Sequence, residues 1–215
     1  MIKDIDKKTY LLNEGQYYTE KVRKEKIVIG HSYSPDIKFT QGWLTREGGR
    51  YKKVSHFTID KAGEIHQHID PSYYCDFLNK KMIDKSLISI TLVNEGWLKD
   101  NGSMFVDWAN REYRGDVDEL ISRKWRERQY WSPYSDEQVS TLNELCLYLT
   151  NKFGIERNVM EHNVIDKGAL TFKGILFRSN FLSEYTDVSP AFDIPKFTDL
   201  IKKRKKNNKD ETLSK

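Results

Sequence analysis

The chain has 215 residues, 38% hydrophobic and 13% aromatic, which suits one domain with a real core. Its formal charge is +4, and residues 202–206 (KKRKK) carry five positive charges, so the body is close to neutral and charge gives no case for a nucleic-acid partner. The two cysteines, Cys75 and Cys146, lack CxxC spacing, which excludes a zinc ribbon and a redox motif and leaves two free, buried thiols as the expectation.

In chain order, the N-terminal stretch MIKDIDKKTYLLNEG has no apolar signal-peptide core. No later run approaches the ~20 apolar residues of a transmembrane segment. The expectation is a protein made in a host cytoplasm without a signal peptide. Lys26 to Gly30 (KIVIG) reads as a short strand ending at His31. Val54 to Asp60 and Glu64 to Asp70 are strand candidates joined by Lys61-Ala62-Gly63, a hairpin gap with glycine. Ser86 to Val93 (SLISITLV) is the most apolar strand and is placed centrally. Trp97 to Trp131, rich in tryptophan and arginine, reads as an insertion over the domain surface.

The best helix runs from about Asp136 to Phe153. Ser135 is its N-cap, Gln138 completes a capping box, and Gly154 stops it. Val139, Leu142, Leu145, Leu149 and Phe153 share one face. Ile175 to Phe177 is a short strand candidate. These elements predict an α/β domain with a mixed central sheet flanked by helices. The expected division is an N-terminal extension (1–25), a domain (26–198, insertion 97–131) and a basic, disordered tail (199–215).

Five histidines bear on function. His31 sits at a strand end and His162 in a loop after the long helix. Asp187 lies in the turn of SEYTDVSPAFDIP. Two histidines and one aspartate from three loops make the layout of a catalytic zinc with water in the fourth place. On spacing alone the same residues read more simply as a rim histidine, a loop histidine and a turn-capping aspartate. His66 and His68, two apart on a strand, share one face, expected to be solvent-facing or half-buried, with metal binding as the lesser alternative. His56 is expected in the core or a pocket wall.

KIVIGH, KVSHFTIDKAGEIHQ, SLISITLVNEG, WSPYSDEQVSTLNELCLYLTNKFGI, EH and YTDVSPAFDIPKF, in that order, resemble the zinc-dependent N-acetylmuramoyl-L-alanine amidases, the family of phage amidase-type lysozymes and peptidoglycan recognition proteins. The resemblance covers about residues 26–198. It implies Zn2+ held by His31, His162 and Asp187, and bacterial peptidoglycan as partner. It also implies hydrolysis of the amide between N-acetylmuramic acid and L-alanine, in the manner of a phage endolysin or virion lysin acting on the cell wall. The chain departs from the pattern at Thr91 and Ser55, where the family carries a glutamate or a tyrosine to assist the water. It departs again at Tyr185, where many members have an oxyanion-stabilising lysine. Tyr185 and Glu95 are then the substitute catalytic candidates. A binding or virion structural protein on the same fold is the alternative.

Overall fold

Four short runs of β-branched and apolar residues build a central parallel array. In the computed structural model, which describes residues 4–210 and the side chains of residues 4–202, ten strands are present. They are β1 (Ile5–Asp6), β2 (Lys26–His31), β3 (Phe57–Ile59), β4 (Ile65–Gln67), β5 (Leu87–Leu92), β6 (Trp97–Asp100), β7 (Phe105–Val106), β8 (Ile121–Trp125), β9 (Arg128–Trp131) and β10 (Gly174–Phe177). The main sheet has the order β1-β4-β3-β5-β2-β10. β3, β5, β2 and β10 run parallel, and β4 is antiparallel to β3. Every residue of β2, β5 and β10 is buried, as expected of strands covered on both faces.

Four helices accompany the sheet: α1 (Gln41–Thr45), α2 (Lys81–Asp84), α3 (Asp136–Phe153) and α4 (Ile194–Asp210). α3 begins and ends where its sequence dictates. Ser135 Oγ accepts the Gln138 N–H, and Gly154 adopts the left-handed conformation, with φ 64°. Leu142, Leu145 and Leu149 of α3 pack with Ile27, Ile29, Ile88 and Ile90 on one face of the sheet, beside Phe197 and Ile201 of α4. Val28, Leu87 and Leu176 face the other way, onto Leu12, Trp43 and Phe77. Alternation along β2 therefore serves two cores. Cys75 and Cys146 are free and buried.

The structure differs from the sequence expectations in three places. Residues 4–25 are part of the sheet's packing, because β1 pairs in parallel with β4. That covers His66 and His68, which are buried and lie edge-on to Tyr10. They are not solvent-facing, since a two-residue strand gives no periodic signal. The segment expected to be disordered from 199 continues as α4 to Asp210, anchored by buried Ile194, Phe197 and Ile201; residues 211–215 lie outside the described residues. The insertion has a sheet of its own, ordered β7-β6-β9-β8. Among the described residues no helix is long and apolar enough to cross a membrane.

His56 and His68 are core histidines with both ring nitrogens hydrogen-bonded: His56 to Ser89 and the Tyr73 carbonyl, His68 to the Tyr10 carbonyl and Thr58. Burial lowers their pKa values to about 3 and about 4. A depressed histidine contributes stability above its unfolded value and loses it as pH falls towards the folded one. Thermal unfolding followed from pH 7 to pH 5 should show the midpoint falling below about pH 6.5, with buried Asp84, raised to about 6 by burial, opposing part of the fall in the same window. The expected slope is up to ~4.1 kcal/mol per pH unit for three histidines, since burial lowers His31 to about 4 as well, less the opposing Asp84 contribution. A flat profile would mean that these rings are not held neutral.

Candidate functional site

β2 and β10 are parallel neighbours with Phe177 opposite Ile29. The chain therefore leaves both strands side by side, with His31 ending one and Arg178 following the other. Asp187 returns to the same point from the turn after residue 182 and is fully buried. Its Oδ2 accepts the His31 backbone N–H at 3.0 Å and Arg178 Nε at 2.6 Å, and its Oδ1 accepts the Tyr33 hydroxyl at 3.2 Å. Arg178 also donates from Nη2 to the His31 carbonyl at 3.1 Å. Its guanidinium lies 4.5 Å from the Tyr185 ring centroid and 5.1 Å from that of Phe77.

Gly30 is required by this arrangement. A Cβ there would stand 2.3 Å from Asp187 Oδ2 and 3.1 Å from Arg178 Nε. The run KIVIGH thus ends in glycine before its histidine because an ion pair lies across the strand at that residue.

The His31 ring is closed in. Its Nδ1 lies 2.8 Å from the Tyr134 hydroxyl, which also accepts the Ser189 N–H at 3.2 Å and so has its own proton to give to the ring. Its Nε2 is buried without a hydrogen-bond partner and faces Gly96, where a Cβ would lie 2.8 Å away. Burial lowers the imidazole pKa to about 4. Burial, then the Asp187 charge, pushes the Tyr33 phenol up.

His162 is not gathered with these groups. Its ring is 40% exposed, its Nε2 is 3.2 Å from Asp166 Oδ2, and Asn180 holds its backbone carbonyl. Among the described residues, the donor atoms of His31, His162 and Asp187 do not all lie within 4.8 Å of one another. The residue beside Asp187 and His31 is Arg178. A zinc site needs three converging lone pairs. This centre instead has a carboxylate committed to a guanidinium and an imidazole whose two nitrogens face a hydroxyl and a glycine. The residues as arranged do not fit the metal.

Glu95 is buried and engaged elsewhere: Lys61 Nζ bonds both its oxygens at 2.7 and 2.9 Å, and Ser132 donates to it at 2.7 Å. Tyr185 is stacked on Arg178. Thr91, opposite Gly30 in the register, lines the same cavity as His31 and Arg178. Sequence reasoning missed Arg178, since an arginine after a short apolar run reads as a surface charge. The available signal was that KIVIGH and GILFR are two strand patterns, each ending in one residue able to act at a site.

A cavity of about 960 Å³ opens over this centre. Five cations (Arg46, Lys53, Lys80, Arg111, Arg178) and two carboxylates (Asp76, Glu184) line it, with Trp43, Tyr51, Trp97, Trp108 and Tyr185 among its aromatic walls. The insertion forms its roof. Trp108 Nε1 donates to the Tyr33 carbonyl at 2.7 Å. At the β8–β9 turn, Arg126 and Glu127 both have positive φ, and Arg126 donates to the carbonyls of Ser179, Ser183 and Tyr185.

Arg178→Ala should leave Asp187 buried and unpaired, lowering stability by roughly 3–5 kcal/mol. Gly30→Ala, which crowds the same pair, should cost about 1–3 kcal/mol. Urea unfolding of both variants checks this, and a change within ~0.5 kcal/mol for both would show that the pair does not anchor the fold.

The chain resembles an endolysin N-acetylmuramoyl-L-alanine amidase, LysCS of Clostridium intestinale, at 12% identity, with 92% of this chain and 94% of that one covered and a TM-score of 0.52. It resembles PlyL at 9% identity, over 94% and 96%, with a TM-score of 0.53. It also resembles the amidase AmiD of E. coli, solved with anhydro-N-acetylmuramic acid-L-Ala-D-gamma-Glu-L-Lys, at 14% identity, over 85% and 59%, with a TM-score of 0.54. Such low identities establish a shared fold, the mixed α/β sheet with flanking helices. No curated protein matches the chain in sequence. The sequence profile described as N-acetylmuramoyl-L-alanine amidase matches residues 19–171, which include His31 and His162 and stop before Arg178 and Asp187. On that match the chain belongs to the N-acetylmuramoyl-L-alanine amidase family.

Proposed function

We propose that this chain binds bacterial peptidoglycan in the cavity above His31 and that the Arg178–Asp187 pair stands where zinc hydrolysis would need a metal. The observation that carries the reading is this ion pair, closed by hydrogen bonds, at the floor of a basic and aromatic groove. The ligand chemistry follows from the lining. Pyranose rings present apolar faces that stack on tryptophan and tyrosine. Stem peptides carry carboxylates that pair with arginine and lysine. Family membership supports peptidoglycan as the ligand class. In this reading Tyr185 holds Arg178 in place, and Glu95 ties the loop after β5 to Lys61 and Ser132.

The second reading is a zinc-dependent amidase with an endolysin or virion-lysin role. It is favoured by the adjacency of His31 and Asp187 and by the family match across His162. In it, Arg178 would have to release Asp187 and His162 would have to leave Asp166. Tyr185 and Glu95 would then take the catalytic roles that the sequence resemblance suggests.

One experiment separates the two. Purified peptidoglycan is incubated with zinc-supplemented protein, sedimented, and its soluble fraction analysed by mass. The expected result is protein in the pellet and no free stem peptide beginning with L-alanine. Released stem peptides would establish the amidase, and protein remaining in the supernatant would remove the binding reading. Trp108→Ala should weaken sedimentation about tenfold, the effect of ~1.4 kcal/mol. In the converse test, Arg178→His should take up one more zinc than the parent protein; equal metal content in both would show that Arg178 does not stand in a ligand position.

A further inference from the structure

A second cluster of chemically capable side chains lies at the β3–β4 hairpin, on the far side of β5 from β2 in the sheet order. Among the described residues, Asp60, Glu64 and His66 form a group whose donor atoms all lie within 4.8 Å of one another. His66 is 6% exposed. Its Nδ1 lies 3.2 Å from Asp6 Oδ2, so this nitrogen carries the proton that Asp6 accepts. In the neutral ring Nε2 is then a lone pair. Nε2 is buried, has no hydrogen-bond partner, and lies 3.8 Å from Asp60 Oδ2.

A lone pair facing a carboxylate is repulsive unless a cation lies between them. The 3.8 Å separation is too long for a hydrogen bond. It is close to the ~3.4 Å expected between two ligands about one tetrahedral ion at ~2.1 Å from each. The hairpin aims the groups. Asp60 Oδ1 accepts the Glu64 N–H at 2.8 Å, leaving Oδ2 directed at His66, and Gly63, with φ 77°, makes the turn. Tyr10 closes the other side of the imidazole with its ring centroid at 5.2 Å.

We propose that Asp60, Glu64 and His66 bind one divalent transition-metal ion of the zinc class, with water completing the coordination. Asp6 orients His66 from behind, the arrangement by which a carboxylate fixes the tautomer of a ligating histidine. The metal ties the two sides of the hairpin together, with β1 held to it only through Asp6 and His66, and it is structural. The site is independent of the centre at Asp187.

The test is metal analysis of the full-length protein dialysed against zinc and then against metal-free buffer, with a visible-range cobalt(II) titration. One equivalent of metal is expected in the parent protein and in His162→Ala. His66→Gln should lose it. Glu64→Gln, at an exposed position and so safe for folding, should weaken cobalt binding at least tenfold. Zinc should raise the thermal midpoint of the parent protein but not of Glu64→Gln. Absence of bound metal would overturn the proposal. Metal that is lost in His162→Ala and unaffected in Glu64→Gln would overturn it equally, by placing the ion in the groove.

Discussion

A single buried contact, Arg178 Nε to Asp187 Oδ2 at 2.6 Å, sets the terms for everything around it. Neither charge is tolerable alone at that depth, and the pair is tolerable only when its remaining hydrogen-bonding capacity is met. The chain meets it from four directions. The His31 backbone gives one donor and one acceptor, Tyr33 gives a hydroxyl, and the Phe77 and Tyr185 rings cover the guanidinium. Gly30 keeps the strand clear of it. The insertion then fixes the loop that delivers Asp187, through Arg126 and three backbone carbonyls. A surface elaboration and a central strand thus converge on one carboxylate.

This arrangement shows why a shared fold does not settle what a site does. The family match ends at residue 171, and the residues that close the site lie after it. Up to that point the chain holds five of the six strands of the main sheet and His31. Beyond it, a cation fixed by covalent attachment sits beside the carboxylate, and an arginine cannot exchange its ligands, polarise a bound water or give up its proton at neutral pH. The groove above it is lined by aromatic and basic groups, which lie apart from the buried pair itself.

Much of this was legible in the sequence and some was not, for physical reasons. β2, β5 and the β3–β4 hairpin announce themselves because buried strands need continuous or alternating apolar residues, and α3 because its caps and its apolar stripe agree. His31 and Asp187 were legible from their places at a strand end and in a turn. β1 was not, since two residues carry no period, and its absence from the reading put His66 and His68 on the wrong side of the solvent boundary. The insertion's sheet was hidden because β8 is almost wholly exposed and lacks an apolar face. Arg178 was missed because a charged residue next to a strand usually faces water. Only the pairing of β10 with β2 brings it over Gly30.

The distance along the chain between the partners has its own consequence. The His31 N–H and the Asp187 carboxylate are 156 residues apart, and β10 reaches β2 only after the rest of the sheet and the whole insertion have been made. Long-range parallel pairing of this kind is slow, because the closure entropy of the chain is spent before the contact is gained. Until β10 arrives, β2 is an edge strand, with KIVIGH presenting unpaired backbone groups and apolar side chains. During synthesis this segment is therefore a point of exposure to aggregation. The last strand to form completes the site and also covers that edge.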